Sequence, residues 1–279
     1  MTQGQSGLLR TFCATISVSD KNLSHILAKE GAHAQTPVCE IMAITAASTP
    51  PPAPRAIEIE FAQLAALVET QLNDAISALE RRDIAAAEKV VRGDAKIDAL
   101  NRAIDEKVLE VLKAGPMPDR QLRQAVSYMK LAGELERVGD LAKNVAKRTL
   151  IVSREAPSQS LIAGVVRMGR ASLRQLSDIL SALQAANLSA ATAVWRSDTD
   201  LDELYNSLYR ELMQSMMADA ARVPAGAHLL FIVKNFERIG DHATNIAEAV
   251  HFVETGSPFS ESRPKGQEPQ TVKLTSDGD

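Results

Sequence analysis

Two short stripes of acidic and amide side chains carry most of the chemical content of this sequence. In residues 231–248, Phe-Ile-Val-Lys-Asn-Phe-Glu-Arg-Ile-Gly-Asp-His-Ala-Thr-Asn-Ile-Ala-Glu, the residues Glu237, Asp241 and Asn245 recur at every fourth position. On a helix they stand one above another along a single face. A near copy, Leu-Glu-Arg-Val-Gly-Asp-Leu-Ala-Lys-Asn-Val-Ala, occupies residues 135–146 and repeats the stripe as Glu136, Asp140 and Asn144. Carboxylates stacked four residues apart repel one another, so each stripe asks for something positive, a cation or a basic partner.

Each stripe is preceded by a second acidic pair at the same spacing. Asp94 and Asp98 lie in Asp-Ala-Lys-Ile-Asp-Ala-Leu, and Asp198 and Asp202 in Asp-Thr-Asp-Leu-Asp-Glu-Leu, 104 residues later. Glu136 and Glu237 are 101 residues apart, and the difference of three falls in an inter-helix turn, where insertions are tolerated. The chain therefore reads as a tandem duplication. If the paired helices are antiparallel neighbours, each half converges up to four carboxylates, an oxygen-rich set suited to Mg²⁺, Mn²⁺, Ca²⁺ or iron. Asn144 and Asn245 can add a carbonyl oxygen or hold a ligand from behind. The competing reading is a solvated helix face with ordinary ion pairs, Arg102 with Asp98 and Lys234 with Glu237. Gly139 and Gly240, mid-helix in both copies, cost about 1 kcal/mol relative to Ala and imply close approach of a backbone, a ligand or a packed helix. His242 lies off the stripe and reads as a packing or surface residue.

The elements that position these residues are six helices in two triplets. Ile57, Phe61, Leu64, Val68, Leu72, Ile76 and Leu79 step by three and four along the first. Asp83 is placed to cap a second running to about Ala114, with Val90, Ile97, Leu100, Ile104, Val108 and Val111 inward. Gly115-Pro-Met-Pro118 breaks it. A third runs from Asp119 to about Val152, with Leu122, Val126, Met129, Leu135, Val138, Ala142 and Val145 inward. The fourth spans Ser158 to about Ala186, and the fifth runs from a cap at Ser189 to about Ala221. Val223-Pro-Ala-Gly226 interrupts, and the sixth ends near Gly256. The expected organisation is an N-terminal extension and Pro-rich linker over 1–55, poorly ordered, with bundles over 56–154 and 155–256 and a flexible tail over 257–279. Met42 is an alternative start, so residues 1–41 need not belong to the native protein.

Composition narrows the function further. A net charge of −4 without a basic stripe argues against nucleic acid as a partner. The two cysteines, Cys13 and Cys39, are not in a CxxC pair, which fits a reducing compartment, and no stretch approaches the roughly 20 apolar residues of a membrane span. The expected location is the cytoplasm. Aromatics at 4% and abundant Ala, Leu, Glu, Arg and Gln favour an all-α fold. No nucleophile elbow, P-loop or dinucleotide turn is present, and the protein is not expected to be an enzyme. A ferritin-like di-iron oxidase or iron store would need Glu-x-x-His twice. Glu248-Ala-Val-His251 supplies it once, and Glu30-Gly-Ala-His33 falls in the unpatterned N-terminal segment. A helical structural or dimerisation module is the plainest alternative.

The blocks Leu135-Glu-Arg-Val-Gly-Asp140 and Phe236-Glu-Arg-Ile-Gly-Asp-His-Ala-Thr-Asn-Ile-Ala-Glu248, with the Asp-x-x-x-Asp pairs, resemble the PhoU family of phosphate-transport regulators. The resemblance covers about residues 57–266, including Arg263-Pro-Lys-Gly266. It implies two tandem three-helix bundles whose ExxxD motifs bind Mg²⁺ or Mn²⁺ or clusters of iron or zinc. It also implies a non-enzymatic homodimeric adaptor that represses the phosphate-starvation response and phosphate uptake. The implied partners are the ATPase subunit of the phosphate ABC transporter and the sensor histidine kinase of the phosphate two-component system, with the membrane reached only through them. Two departures fall in the first half. Pro116-Met-Pro-Asp-Arg-Gln-Leu-Arg123 replaces the family's usual Pro-Ala-Asp-Leu-Arg-like turn, and the helix from Ile57 is short for the family's first. The first bundle is therefore expected to be altered.

Overall fold

The computed structural model describes residues 54–155 and 157–261. The N-terminal extension with both cysteines, Met42 and His33, and the tail with Arg263-Pro-Lys-Gly266, lie outside the described residues. Every described element is helical: α1 (Pro54–Arg81), α2 (Ile84–Lys113), α3 (Asp119–Glu155), α4 (Gln159–Gln184), α5 (Leu188–Arg196), α6 (Asp198–Ala218), a 3₁₀ turn (Ala220–Arg222) and α7 (Val223–Thr255).

The repeated sequence folds as a repeated turn. After α1, Arg82 takes a left-handed conformation (φ 53°), and Asp83 accepts a hydrogen bond from the Ala86 N–H to cap α2. After α4, Ala186 does the same (φ 48°), and Asn187 caps α5 through the Ala190 N–H. The cap of the fifth helix is thus Asn187 and not Ser189, the side chain that follows the left-handed residue and faces the free N–H groups. The expected fifth helix is also broken. At Ser197 the backbone leaves the helical conformation (ψ 4°), and Asp198 opens a new helix, whereas α2 runs unbroken through Asp94. α7 starts earlier than its sequence suggests, because Pro224 lies in the first turn, where a missing N–H is no loss. Gly256 (φ 74°) terminates it, its N–H on the Phe252 carbonyl.

Helices α1–α3 pack as one three-helix bundle and α4–α7 as a second whose middle helix is split. α3 lies on α7 and α1 on α4, so the two bundles share one core. All seven apolar residues expected to line α1 are buried, and its 28 residues compare with 26 in its counterpart α4. In α2, Val90, Ile97, Ile104 and Val108 are buried, while Leu100 and Val111 are half-buried at the core margin. In α3 the expected stripe fails at its first turns, where Leu122 and Val126 are exposed and Ala125 is buried instead. Over the 37 residues of α3 the buried face drifts away from a fixed three–four step.

Gly139 and Gly240 have the same role. A Cβ on Gly139 would lie 2.8 Å from Ile97 Cδ1, and one on Gly240 would overlap Leu201 Cδ2. Ile97 and Leu201 are the same position of the duplication, so a side chain of the acid-bearing helix, not a backbone or ligand, fills each notch. Gly139→Ala and Gly240→Ala should lower the unfolding free energy by about 1–3 kcal/mol through overpacking. Gly133→Ala, with nothing within 4 Å of its Cβ, should raise it by about 0.5–1 kcal/mol through helix propensity. Urea denaturation of the three variants measures the contrast.

Candidate functional site

In the first bundle the four acids do come together, across the seam between α2 and α3. Asp94 is buried, and Asp98, Glu136 and Asp140 are half-buried around it. A buried carboxylate costs several kcal/mol unless it is paired and hydrogen-bonded, and Asp94 is both. Its Oδ2 accepts from Lys143 Nζ, and its Oδ1 accepts from Gln71 Nε2 of α1 at 3.2 Å. The same Gln71 nitrogen reaches the Gly139 carbonyl at 3.1 Å, and Lys143 Nζ also donates to Asp140 Oδ1 at 2.6 Å. Burial works against the Lys143 charge, but the bonds to Asp140 and Asp94 outweigh it and hold the ammonium far above its ordinary range. Glu136 is pushed up by burial and then by Asp140, with Asp98 and Asp94 adding to the effect against Arg137. Arg102 and Asp98 do not form an ion pair among the described residues.

The second bundle repeats the acids with different neighbours. Glu237 accepts from Lys234 Nζ at 2.7 Å, as the ion-pair reading anticipates, and the ammonium lies 5.2 Å from the Tyr205 ring centroid. The other oxygen of Glu237, Oε2, is buried without a hydrogen-bond partner. Burial raises the Glu237 pKa, with Asp241 and Asp202 adding to it and Lys234 opposing. Gln175, the counterpart of Gln71, is 8% exposed, and its Nε2 has no partner. Asp202 and Asp241 are half-buried and engaged. Asp198 opens α6, and its side chain lies outside the described ones. Among the described residues no three carboxylate or imidazole groups stand close enough to share one ion.

The amides do not behave as backing for these acids. Asn144 is exposed. Asn245 Nδ2 donates to Glu134 Oε2 of α3 at 3.0 Å, and His242 Nδ1 meets the same oxygen at 2.7 Å, which ties the two bundles together. Burial would raise the Glu134 pKa, but the bonds from His242 and Asn245 bring it below the usual value. Farther along this seam Arg148 caps the Phe231 ring at 3.9 Å and meets His228 Nδ1 at 3.2 Å. The Glu-x-x-His pair is engaged at the end of α7. Glu248 accepts from Trp195 Nε1 at 3.4 Å, and His251 stacks on Phe259 and faces the Ser257 carbonyl.

Reading the acids at i, i+4 along each helix missed Lys143, Gln71 and Glu134. Lys143 had a visible signal, three residues after Asp140. Gln71 and Gln175 also recur at the 104-residue offset.

Fold and site together define a class: an all-α protein built by duplicating a three-helix bundle, each copy carrying an acidic seam beside a notched glycine. The model of the PhoU domain matches the chain twice, at residues 61–149 and 165–250. The chain belongs to the PhoU family. It is 41% identical over 206 residues to the phosphate-specific transport system accessory protein PhoU homolog of Caulobacter vibrioides, spanning 74% of this chain and 90% of that one. The homolog of the same description in Rhizobium meliloti is 36% identical over 218 residues, 78% and 92% of the two chains. Among solved structures, PhoU from Pseudomonas aeruginosa superposes with a TM-score of 0.70 at 31% identity, covering 73% of this chain and 97% of that chain. The phosphate transport system regulatory protein PhoU from Streptococcus pneumoniae gives 0.68 at 28%, covering 75% and 98%.

The Glu134 clasp gives a signed expectation. A carboxylate whose folded pKa is lowered adds stability that is present above its unfolded pKa and is lost as pH falls through the folded one. Glu134→Ala should cost about 1–3 kcal/mol near neutral pH, the price of two charge-assisted bonds at a half-buried group. In urea unfolding the gap from the unaltered chain should narrow as the pH is lowered below the ordinary carboxylate range.

Proposed function

We propose that this protein is a negative regulator of the phosphate-starvation response and of phosphate uptake. It acts as a cytoplasmic adaptor between a phosphate ABC transporter's ATPase subunit and a sensor histidine kinase. The observation that carries this reading is the double family match over both halves, together with relatives of 41% and 36% identity described as phosphate-specific transport system accessory proteins. A binding role fits the first seam, whose polar groups are committed to one another across helices. No helix among the described residues is long and apolar enough to cross a membrane, which fits membrane access through partners. A homodimer is the assembly we expect.

We further propose that the second bundle takes up a divalent cation. Glu237 Oε2 is a buried oxygen without a hydrogen-bond partner, at a seam of hard oxygen donors. Because no three described acids share one ion as they stand, Glu237 and Asp241 would have to rotate toward Asp202 to hold Mg²⁺ or Mn²⁺, with Asp198 one helical turn before Asp202. The cation would neutralise the acidic seam and fix the helix faces offered to partners.

Deleting the gene should raise alkaline phosphatase output in phosphate-rich cells, and restoring it should return output to the basal level. Unchanged output on deletion would remove the repressor reading. The cation reading has its own test. Because burial keeps a proton on Glu237 to higher pH than usual, a cation must displace it, so Mn²⁺ affinity should rise by up to about tenfold per pH unit below that raised pKa. Calorimetric titration at several pH values measures the slope, and a flat profile would count against Glu237 as a ligand.

A further inference from the structure

We propose that the first bundle carries its own tethered cation: Lys143 Nζ stands between Asp94 and Asp140 in the place a metal ion would take, so the duplicated seams are neutralised by different chemistry. The second half of this statement rests on the cation reading above; the first does not.

The geometry of the first seam leaves little for a metal to bind. Both oxygens of Asp94 are engaged, Oδ2 by Lys143 and Oδ1 by Gln71, and Lys143 also takes Asp140 Oδ1. The Lys143 side chain is 22% exposed, and its ammonium donates to a carboxylate on each of the two helices. Because Lys143 is attached one turn from Asp140, it returns to the seam at an effective concentration that a dissolved ion must outcompete, on the order of millimolar or more. An ion entering there must first break the ammonium's bonds to Asp94 and Asp140.

The duplication shows how specific this is. The residue at the Lys143 position in the second half is Thr244, fully buried, with its hydroxyl on the Asp241 carbonyl at 2.8 Å. Threonine brings no charge. The lysine of the second half, Lys234, comes from a different position whose first-half counterpart is Gly133, and it approaches Glu237 from the solvent side, 49% exposed. Such a side chain can swing away as an ion enters, and it leaves Glu237 Oε2 unpartnered. Gln71 and Gln175 carry the same contrast, one spent on Asp94 and Gly139 and the other with an unpartnered nitrogen.

The full chain, with Mn²⁺ as the probe, tests this by calorimetry and by thermal unfolding with and without the ion. Glu237→Gln/Asp241→Asn should weaken Mn²⁺ binding at least a hundredfold, because the first seam is already filled. Adding Lys143→Met to that variant should create a new site, one Mn²⁺ per chain, with Mn²⁺ now raising the melting temperature. A folded Lys143→Met variant that gains no Mn²⁺ overturns the proposal. So does binding in Glu237→Gln/Asp241→Asn that is lost on adding Asp94→Asn/Asp140→Asn, since the ion would then be displacing Lys143. If unaltered protein binds no Mn²⁺, the cation reading of the second bundle fails, while a gain with Lys143→Met still supports the tethered ammonium. Should removal of Lys143 prevent folding, amine acylation of the unaltered chain decides. Protection of Lys143 unchanged by saturating Mn²⁺ supports the proposal, and loss of protection overturns it.

Discussion

The structure depends on one awkward requirement, that carboxylates be placed on the seam where two helices pack most closely. Gly139 and Gly240 let Ile97 and Leu201 settle into notches on α3 and α7, and the closeness this permits brings Asp94 and Asp202 toward the stripes of the facing helix. Packing at the notch favours proximity, and like charge beside it opposes proximity. Every further feature of the seam works on that conflict. Glu136 and Glu237 respond by holding protons more tightly, Asp94 takes an ammonium and an amide, and Glu237 takes a lysine on one oxygen only.

Duplication then doubles the conflict without obliging one solution. The turns before α2 and α5 share a left-handed residue and a side-chain cap, and both notches are glycines because Ile97 and Leu201 fill the space that a Cβ would need. The neutralising groups could change, since an ammonium needs only to reach the seam. It comes from one turn after the notch in α3 and from before it in α7. The same freedom produced the clasp between bundles. Glu134 accepts from His242 and Asn245, while in the other copy the aligned residue is Asn235, whose Nδ2 is buried without a partner. A duplicated chain is thus more symmetric in its backbone than in its electrostatics.

What could be read in the sequence follows the same division. The stripe of α1 was legible in full because it faces partners along its whole length, and Asp83 was legible because capping is local chemistry. Leu122 and Val126 misled because periodicity reports which residues share a face, not whether a neighbour covers it. The break at Ser197 had no strong signal, since Ser is only mildly unfavourable in a helix. The four acids of the first half were found as pairs along each helix, and their convergence followed from antiparallel neighbours. Their partners lay across the bundle, in Gln71 and Lys143, where no spacing within one helix points.

Asn245 shows why a recurrent motif does not fix a role. It stands in the same register as Asn144, eight residues after the glutamate of each stripe, yet Asn144 is exposed and Asn245 holds Glu134. At i+8 a helical residue has turned about 80° from the first, enough to leave the α6–α7 seam and meet α3 instead. The stripe is therefore a strip of helix surface shared by two neighbours. Its acidic end belongs to the seam within a bundle, and its amide end in the second copy belongs to the joint between bundles. Glu237 and Asp241 thus stand on the same helix that carries His242 and Asn245 to Glu134, so one element, α7, serves both seam and joint.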